Sequence, residues 1–168
     1  MRMKLFGLMA AMLLVAGCTE NADNGDTTQG GGEVAPTPTV EAPVALDPQE
    51  DLVVNVGDRI FFDFDKSNLR PDAIDQLNRQ ADWLKMNGGI TVAIEGHCDE
   101  RGTREYNLAL GDRRASSASQ YLRSMGVDGG RIETISYGKE RPAVLGSNEE
   151  AWAQNRRAVM VVKSGSLS

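Results

Sequence analysis

A chain of 168 residues accommodates one domain of ordinary size and is too short for two comfortable ones. With 18 Lys+Arg against 24 Asp+Glu its formal net charge is −6. That excludes a general nucleic-acid binder, which needs a basic surface to displace counterions from phosphates. Hydrophobic residues at 40% and charged residues at 25% suit a globular core, and two cysteines are too few for a disulfide framework.

Arg2 and Lys4 precede an apolar run of twelve residues, Leu5 to Ala16. As a helix this run rises ~18 Å, short of the ~30 Å hydrocarbon core of a bilayer, so it is not a spanning segment. A basic start, a short apolar stretch and small residues before a cut describe a secretory signal over residues 1–17. Its end, Leu14-Val15-Ala16-Gly17-Cys18, resembles a bacterial lipobox, with Val15 where Leu is commoner. The resemblance implies a lipidated Cys18, anchored by acyl chains that each add ~0.8 kcal/mol per buried CH₂. Thr19 stands where Asp would signal retention in the inner membrane, so it implies delivery to the outer membrane of a Gram-negative cell.

From residue 18 to residue 50 the composition changes. The stretch holds Pro36, Pro38, Pro43 and Pro48, the triplet Gly30-Gly31-Gly32, seven acids, and no aromatic, Lys or Arg. Such a segment buries too little apolar surface to offset its ordering entropy, and it is expected to be a disordered tether. About 32 residues of coil span ~30 Å and extend to at most ~100 Å. Removal of residues 1–17 leaves a net charge of −8, of which −7 lies in the tether and −1 in the domain over residues 51–168.

In that domain Ile60 to Asp65 reads as a strand, with Ile60, Phe62 and Phe64 on one face. Pro71 opens a helix whose inward stripe is Ile74, Leu77, Ala81 and Leu84, and Gly88-Gly89 stop it. Ile90 to His97 is a second strand. A long helix over residues 103–125 follows, with Leu108, Ala115, Ala118, Leu122 and Met125 inward and Gly126 as its stop. Arg131 to Tyr137 is a third strand, and Ser147-Asn148-Glu149-Glu150 reads as a capping box for a short helix. The last strand, Ala158 to Val162, is apolar throughout and therefore expected at the centre of the sheet. The βαβαβαβ order predicts a two-layer α/β (α+β) sandwich, helices packed on a mixed sheet.

Chemistry concentrates at the end of the second strand, in Glu95-Gly96-His97-Cys98-Asp99-Glu100-Arg101-Gly102-Thr103. A Cys98/His97 nucleophile, as in a cell-wall hydrolase, is disfavoured because adjacent strand residues point to opposite faces. A metal site from His97 to Glu100 is disfavoured because four consecutive side chains do not converge. A third reading is a site for a small zwitterion. Asn107 and Arg114 lie two helical turns apart on one face with Leu110 between them, opposite Asp99 at the strand end. A planar guanidinium suits a carboxylate, and a carboxylate suits an ammonium. Spacing alone favours an ordinary Asp99–Arg114 structural pair over ligand binding. Trp83 and Trp152 read as packing residues.

Residues 95–115 resemble the signature of OmpA-like peptidoglycan-binding domains. The likeness continues in Phe61-Phe62-Asp63-Phe64-Asp65-Lys66, in residues 136–144, and in Asn155-Arg156-Arg157-Ala158. It implies non-covalent binding of peptidoglycan through the diaminopimelate of the stem peptide, with neither cofactor nor catalysis. By position, Asp99 would meet the side-chain ammonium and Arg114 the terminal carboxylate. Asn107 and Leu110 would line the groove, with Asp65, Phe62 and Phe64 closing its other side. Cys98 replaces the Ala or Thr more usual there. The resemblance also implies a second partner, the periplasmic β-propeller protein TolB, and a lipid-anchored location facing the periplasm.

Overall fold

The computed structural model describes residues 46–168. The signal segment, Cys18 and the tether up to residue 45 lie outside the described residues. The folded part begins before the boundary expected at residue 51. Asp47 caps a one-turn helix, α1 (Pro48–Asp51), by accepting from the Gln49 N–H at 2.7 Å. The Gln49 side chain then accepts from the Val162 N–H at 2.7 Å. Asp47 and Glu50 therefore belong with the domain, whose charge from residue 46 is −3, with 16 basic and 19 acidic side chains. The composition hid this because a single turn has no periodicity and its anchor is a partner far along the chain.

After a π turn (Leu52–Val56) come β1 (Arg59–Phe61), α2 (Pro71–Met86), β2 (Thr91–His97), α3 (Arg104–Ser124), β3 (Ile132–Gly138), α4 (Glu149–Asn155) and β4 (Arg157–Ser164). The sheet order is β1-β4-β2-β3. β2 and β3 run parallel across the α3 connection, while β4 is antiparallel to both its neighbours. The sheet is mixed and its last strand internal, in line with the apolar run there. Register pairs Ile60 with Ala158 and Ile94 with Met160, and these four are buried against the helices. Leu77, Ala81 and Leu84 of α2 and Ala115, Ala118 and Leu122 of α3 close the same core.

Three local expectations change. β1 ends at Phe61; Phe62, 1% exposed, is still buried in the core with Ile60 as alternation expects, but Phe64 leaves that face and is 56% exposed. Phe62 donates its N–H to the Arg156 carbonyl at 2.9 Å and its own carbonyl accepts from Arg156 Nε at 3.1 Å; beyond it Asp65 turns the chain at φ 56°. On α2, Ala73 is the buried residue and Ile74 is half-buried. The cap of α4 is Asn148 rather than Ser147, its Oδ1 accepting from the Ala151 N–H at 2.9 Å.

Glycines set how closely α3 lies on the sheet. A Cβ on Gly96 would stand 1.9 Å from the Gly111 carbonyl oxygen, and one on Gly111 would stand 2.3 Å from Ser136 Oγ. Both obstacles lie inside packed elements and have little room to yield. Gly96→Ala is therefore expected to destabilise by about 1–3 kcal/mol or more through overpacking, measured by urea unfolding. An unchanged midpoint would mean that this contact does not set the helix position.

Candidate functional site

The close approach brings the first two turns of α3 beside the C-terminal end of β2, where a pocket of about 160 Å³ opens. Thr103 starts the helix there, its Oγ1 accepting from the Tyr106 N–H at 3.2 Å. Asp99 and Arg101 from the end of β2, Asn107, Leu110 and Arg114 from α3, and Phe64 with Asp65 from the β1–α2 loop line the pocket. The structure thus gathers Asp99, Arg114, Asn107, Leu110, Asp65 and Phe64 in one cavity. Phe62 is the exception. It lies in the core beneath the pocket, its ring 5.1 Å from the Arg114 guanidinium, and supports rather than lines the site.

Arg114 is 0% exposed. Its Nε donates to the Lys66 carbonyl at 2.9 Å, Nη1 to the His97 carbonyl at 2.7 Å, and Nη2 to the Asp63 carbonyl at 3.1 Å. One side chain thereby ties the β1–α2 loop and the end of β2 to α3. Burial pulls its pKa down, and the neighbouring Cys98 and Asp99 oppose that shift. No Asp99–Arg114 ion pair forms, contrary to the pairing that spacing favours.

Asp99 instead faces two other guanidiniums. Its Oδ1 accepts from the Arg101 N–H at 3.1 Å and from Arg101 Nε at 3.2 Å. Its Oδ2 accepts from Arg101 Nη2 at 2.6 Å and from Arg156 Nη1 at 3.4 Å. Burial alone would raise the Asp99 pKa, but the hydrogen bonds and charges of Arg101 and Arg156 outweigh it and hold the carboxyl below its ordinary range. Arg156 also reaches Glu149 at 2.6 Å, so it is a structural tie between α4 and the site.

Arg101 is the site residue that the sequence did not single out. Its guanidinium lies 4.0 Å from the Phe64 ring and 4.0 Å from the Trp152 ring, between the two. Trp152 is accordingly a rim residue, with Nε1 donating to Glu100 Oε1 at 3.0 Å, whereas Trp83 is a core residue bonded to Asp51 at 2.6 Å. The available signal was an Arg two residues after the strand-end acid. Its aromatic partners come from distant segments and left no local pattern. Asn107 spends both amide donors on the same loop, to the Arg101 carbonyl at 2.8 Å and the Thr103 carbonyl at 3.0 Å. Across the pocket the Tyr106 hydroxyl donates to Asp65.

Cys98 and His97 do not form a nucleophilic pair. Burial pushes the Cys98 thiol up despite nearby Arg114, and its Sγ donates to the Asn107 carbonyl at 3.4 Å. His97 stacks on Tyr137 with ring centroids 5.5 Å apart, is 2% exposed, and has neither ring nitrogen hydrogen-bonded. Burial first, then Arg157 and Arg141, lower its pKa to about 4. A histidine with a depressed pKa contributes stability fully above its ordinary value of 6.5, and that contribution is lost as pH falls toward 4. Asp99 adds a separate loss below the ordinary carboxylate range, as its depressed pKa is approached. Equilibrium unfolding against pH is expected to show the first slope in the wild type and to lose it in His97→Phe. A slope that survives the substitution would assign it to other groups.

Residues 61–156 match the model of the OmpA family. The chain is 50% identical over 152 residues to the peptidoglycan-associated lipoprotein of Rhizobium meliloti (strain 1021), covering 89% of this chain and 82% of that protein. It is 48% identical over 153 residues to the protein of the same name from Mesorhizobium japonicum, covering 90% and 86%. The crystal structure of the peptidoglycan-associated lipoprotein from Burkholderia pseudomallei superposes with a TM-score of 0.62 at 42% identity, over 63% of this chain and 90% of that one. With a family model over residues 61–156 and a relative 50% identical over 89% of this chain, the chain belongs to the OmpA family, among the peptidoglycan-associated lipoproteins.

Proposed function

We propose that this domain grips peptidoglycan non-covalently by the zwitterionic head of diaminopimelate, with Asp99 taking the ammonium and Arg114 the carboxylate. As a peptidoglycan-associated lipoprotein the chain resides at the outer membrane, faces the periplasm, and links that membrane to the cell wall within the Tol–Pal system. It works by binding and not by catalysis. The observation that supports the residue assignment is one pocket presenting an anionic and a cationic side chain, both buried and not paired with each other. Asn107 and Leu110 line the pocket, and Asp65 with Phe64 close it from the β1–α2 loop. The anchor is a lipidated Cys18, following a signal over residues 1–17. The tether runs from residue 18 to the start of the fold.

TolB is proposed as the second partner, competing for a surface that overlaps the pocket. The experiment is co-sedimentation of the protein with purified diaminopimelate-type sacculi. Pelleting is expected, together with release by free diaminopimelate. A protein that stays in the supernatant, or pellets without being displaced, would overturn the reading. Pull-down with TolB, with and without muropeptide, tests the competition.

A further inference from the structure

Resting on the diaminopimelate reading, we infer that Arg101 is a specificity-determining residue: it is the resident counter-ion of Asp99, and only a ligand bringing both an ammonium and a neighbouring carboxylate releases it.

A carboxylate has about four lone-pair positions, and all four on Asp99 are taken by protein donors. Three are filled by Arg101, through its N–H, Nε and Nη2, and one by Arg156. An incoming ammonium must therefore displace a guanidinium rather than fill a vacancy. The next carboxylate for Arg101 is Glu149, whose Oε2 lies 3.9 Å away on an exposed side chain while Arg156 holds its Oε1 at 2.6 Å. A bare amine that took Asp99 would thus leave Arg101 this longer, solvent-screened pair in place of the 2.6 Å one to Asp99. A head group carrying ammonium and carboxylate on one carbon avoids this. Its ammonium replaces Arg101 at Asp99, and its carboxylate, held by Arg114, also gives the freed guanidinium a new anionic partner in the same pocket.

Two features fit Arg101 for this exchange. Phe64 and Trp152, each 4.0 Å from its guanidinium, hold the planar fork at the pocket mouth by stacking, which does not depend on Asp99. Arg114, the other cation of the cavity, has already committed a donor from each of its three nitrogens to main-chain carbonyls. Arg114 thus meets the carboxylate with its two remaining N–H groups alone, and Arg101 adds a fork once its present partner is taken.

The test is titration of the full chain in detergent with two soluble muropeptides that differ only at the third position, diaminopimelate in one and lysine in the other. The lysine side chain ends in an ammonium without a carboxylate. The wild type is expected to prefer the diaminopimelate peptide by about 30-fold or more, the binding lost when one partner of a desolvated charge pair is missing. Arg101→Gln is expected to bring that ratio toward unity from both sides. The diaminopimelate peptide should bind more weakly, and the lysine peptide more tightly than to the wild type because Asp99 is no longer occupied.

An unchanged ratio, or parallel loss of both peptides, would overturn the inference, the second outcome marking a merely structural residue. Should Arg101→Gln not fold, Arg101→Lys carries the same test. It keeps a cation beside Asp99 but has no fork for the carboxylate, so its ratio is expected to fall, and an unchanged one would overturn the inference. A wild type that binds neither peptide would instead sink the diaminopimelate reading itself.

Discussion

Arg114→Ala is expected to destabilise the domain by about 3–5 kcal/mol, enough to consume a large part of the stability of an ordinary small domain. The side chain has no exposure and satisfies the carbonyls of Asp63, Lys66 and His97 at once. Truncation removes the Arg114 donor from three carbonyls, of which that of Asp63 keeps the Lys66 N–H at 3.3 Å, and leaves a cavity above Phe62; a buried acceptor left without a partner costs about 1–3 kcal/mol. Urea unfolding of the two proteins measures it directly. Arg114→Lys should recover only part of the loss, since one ammonium on a flexible stem does not reproduce three fixed donors. A midpoint close to wild type for Arg114→Ala would show that the loops hold without it. This expectation matters for the wall-binding assay, where loss of pelleting by Arg114→Ala reports folding and recognition together.

Asp99 separates the two. Asp99→Asn keeps the shape of the side chain and removes its charge, and it is expected to cost about 2–5 kcal/mol of binding, more than roughly 30-fold in Kd. Co-sedimentation with sacculi should then fall to background while the circular dichroism spectrum stays native. Asp99→Ala should lose as much binding and also some stability, because Arg156 is buried and would keep only Glu149 and the Phe62 carbonyl. Wild-type pelleting by a folded Asp99→Asn would remove Asp99 from the ammonium subsite. The pH dependence offers a second check. The Asp99 carboxyl lies below the ordinary range, so its contribution to binding is fully present above that range. It should fail only in more acidic solution, below the window in which His97 titrates.

Much of this was legible in residue order because the signals are local. Pro71 and the 3/4 stripe Leu77, Ala81, Leu84 define α2, and Gly126 at φ 94° stops α3. The unbroken apolar run Ala158 to Val162 marks an internal strand, and a period of two turns puts Asn107, Leu110 and Arg114 on one helix face beside Asp99. Phe64 shows where such reasoning stops. Alternation continued past Phe61 places it inward, but the contacts to the β4 side, across 94 residues of chain, end at Phe62 with Arg156, and the turn at Asp65 leaves Phe64 exposed at the pocket.

Length, composition and the spacing of a few residues determined by themselves the class of fold, the order of its elements, the acidic lead-in to the domain and the pairing of Asp99 with the Arg114 face of a helix. Periodicity, glycine stops and charge counts are properties of neighbouring residues, and they survive without coordinates. Tertiary structure alone decided which charges are already spent. Arg114 is tied to three carbonyls, Asp99 to Arg101 and Arg156, and Arg101 is stacked between Phe64 and Trp152. These partners lie on separate segments of chain, brought together only when Gly96 and Gly111 let α3 settle on the sheet. Hydrogen bonds and ion pairs act over a few ångströms of space, and separation along the chain carries no record of that distance.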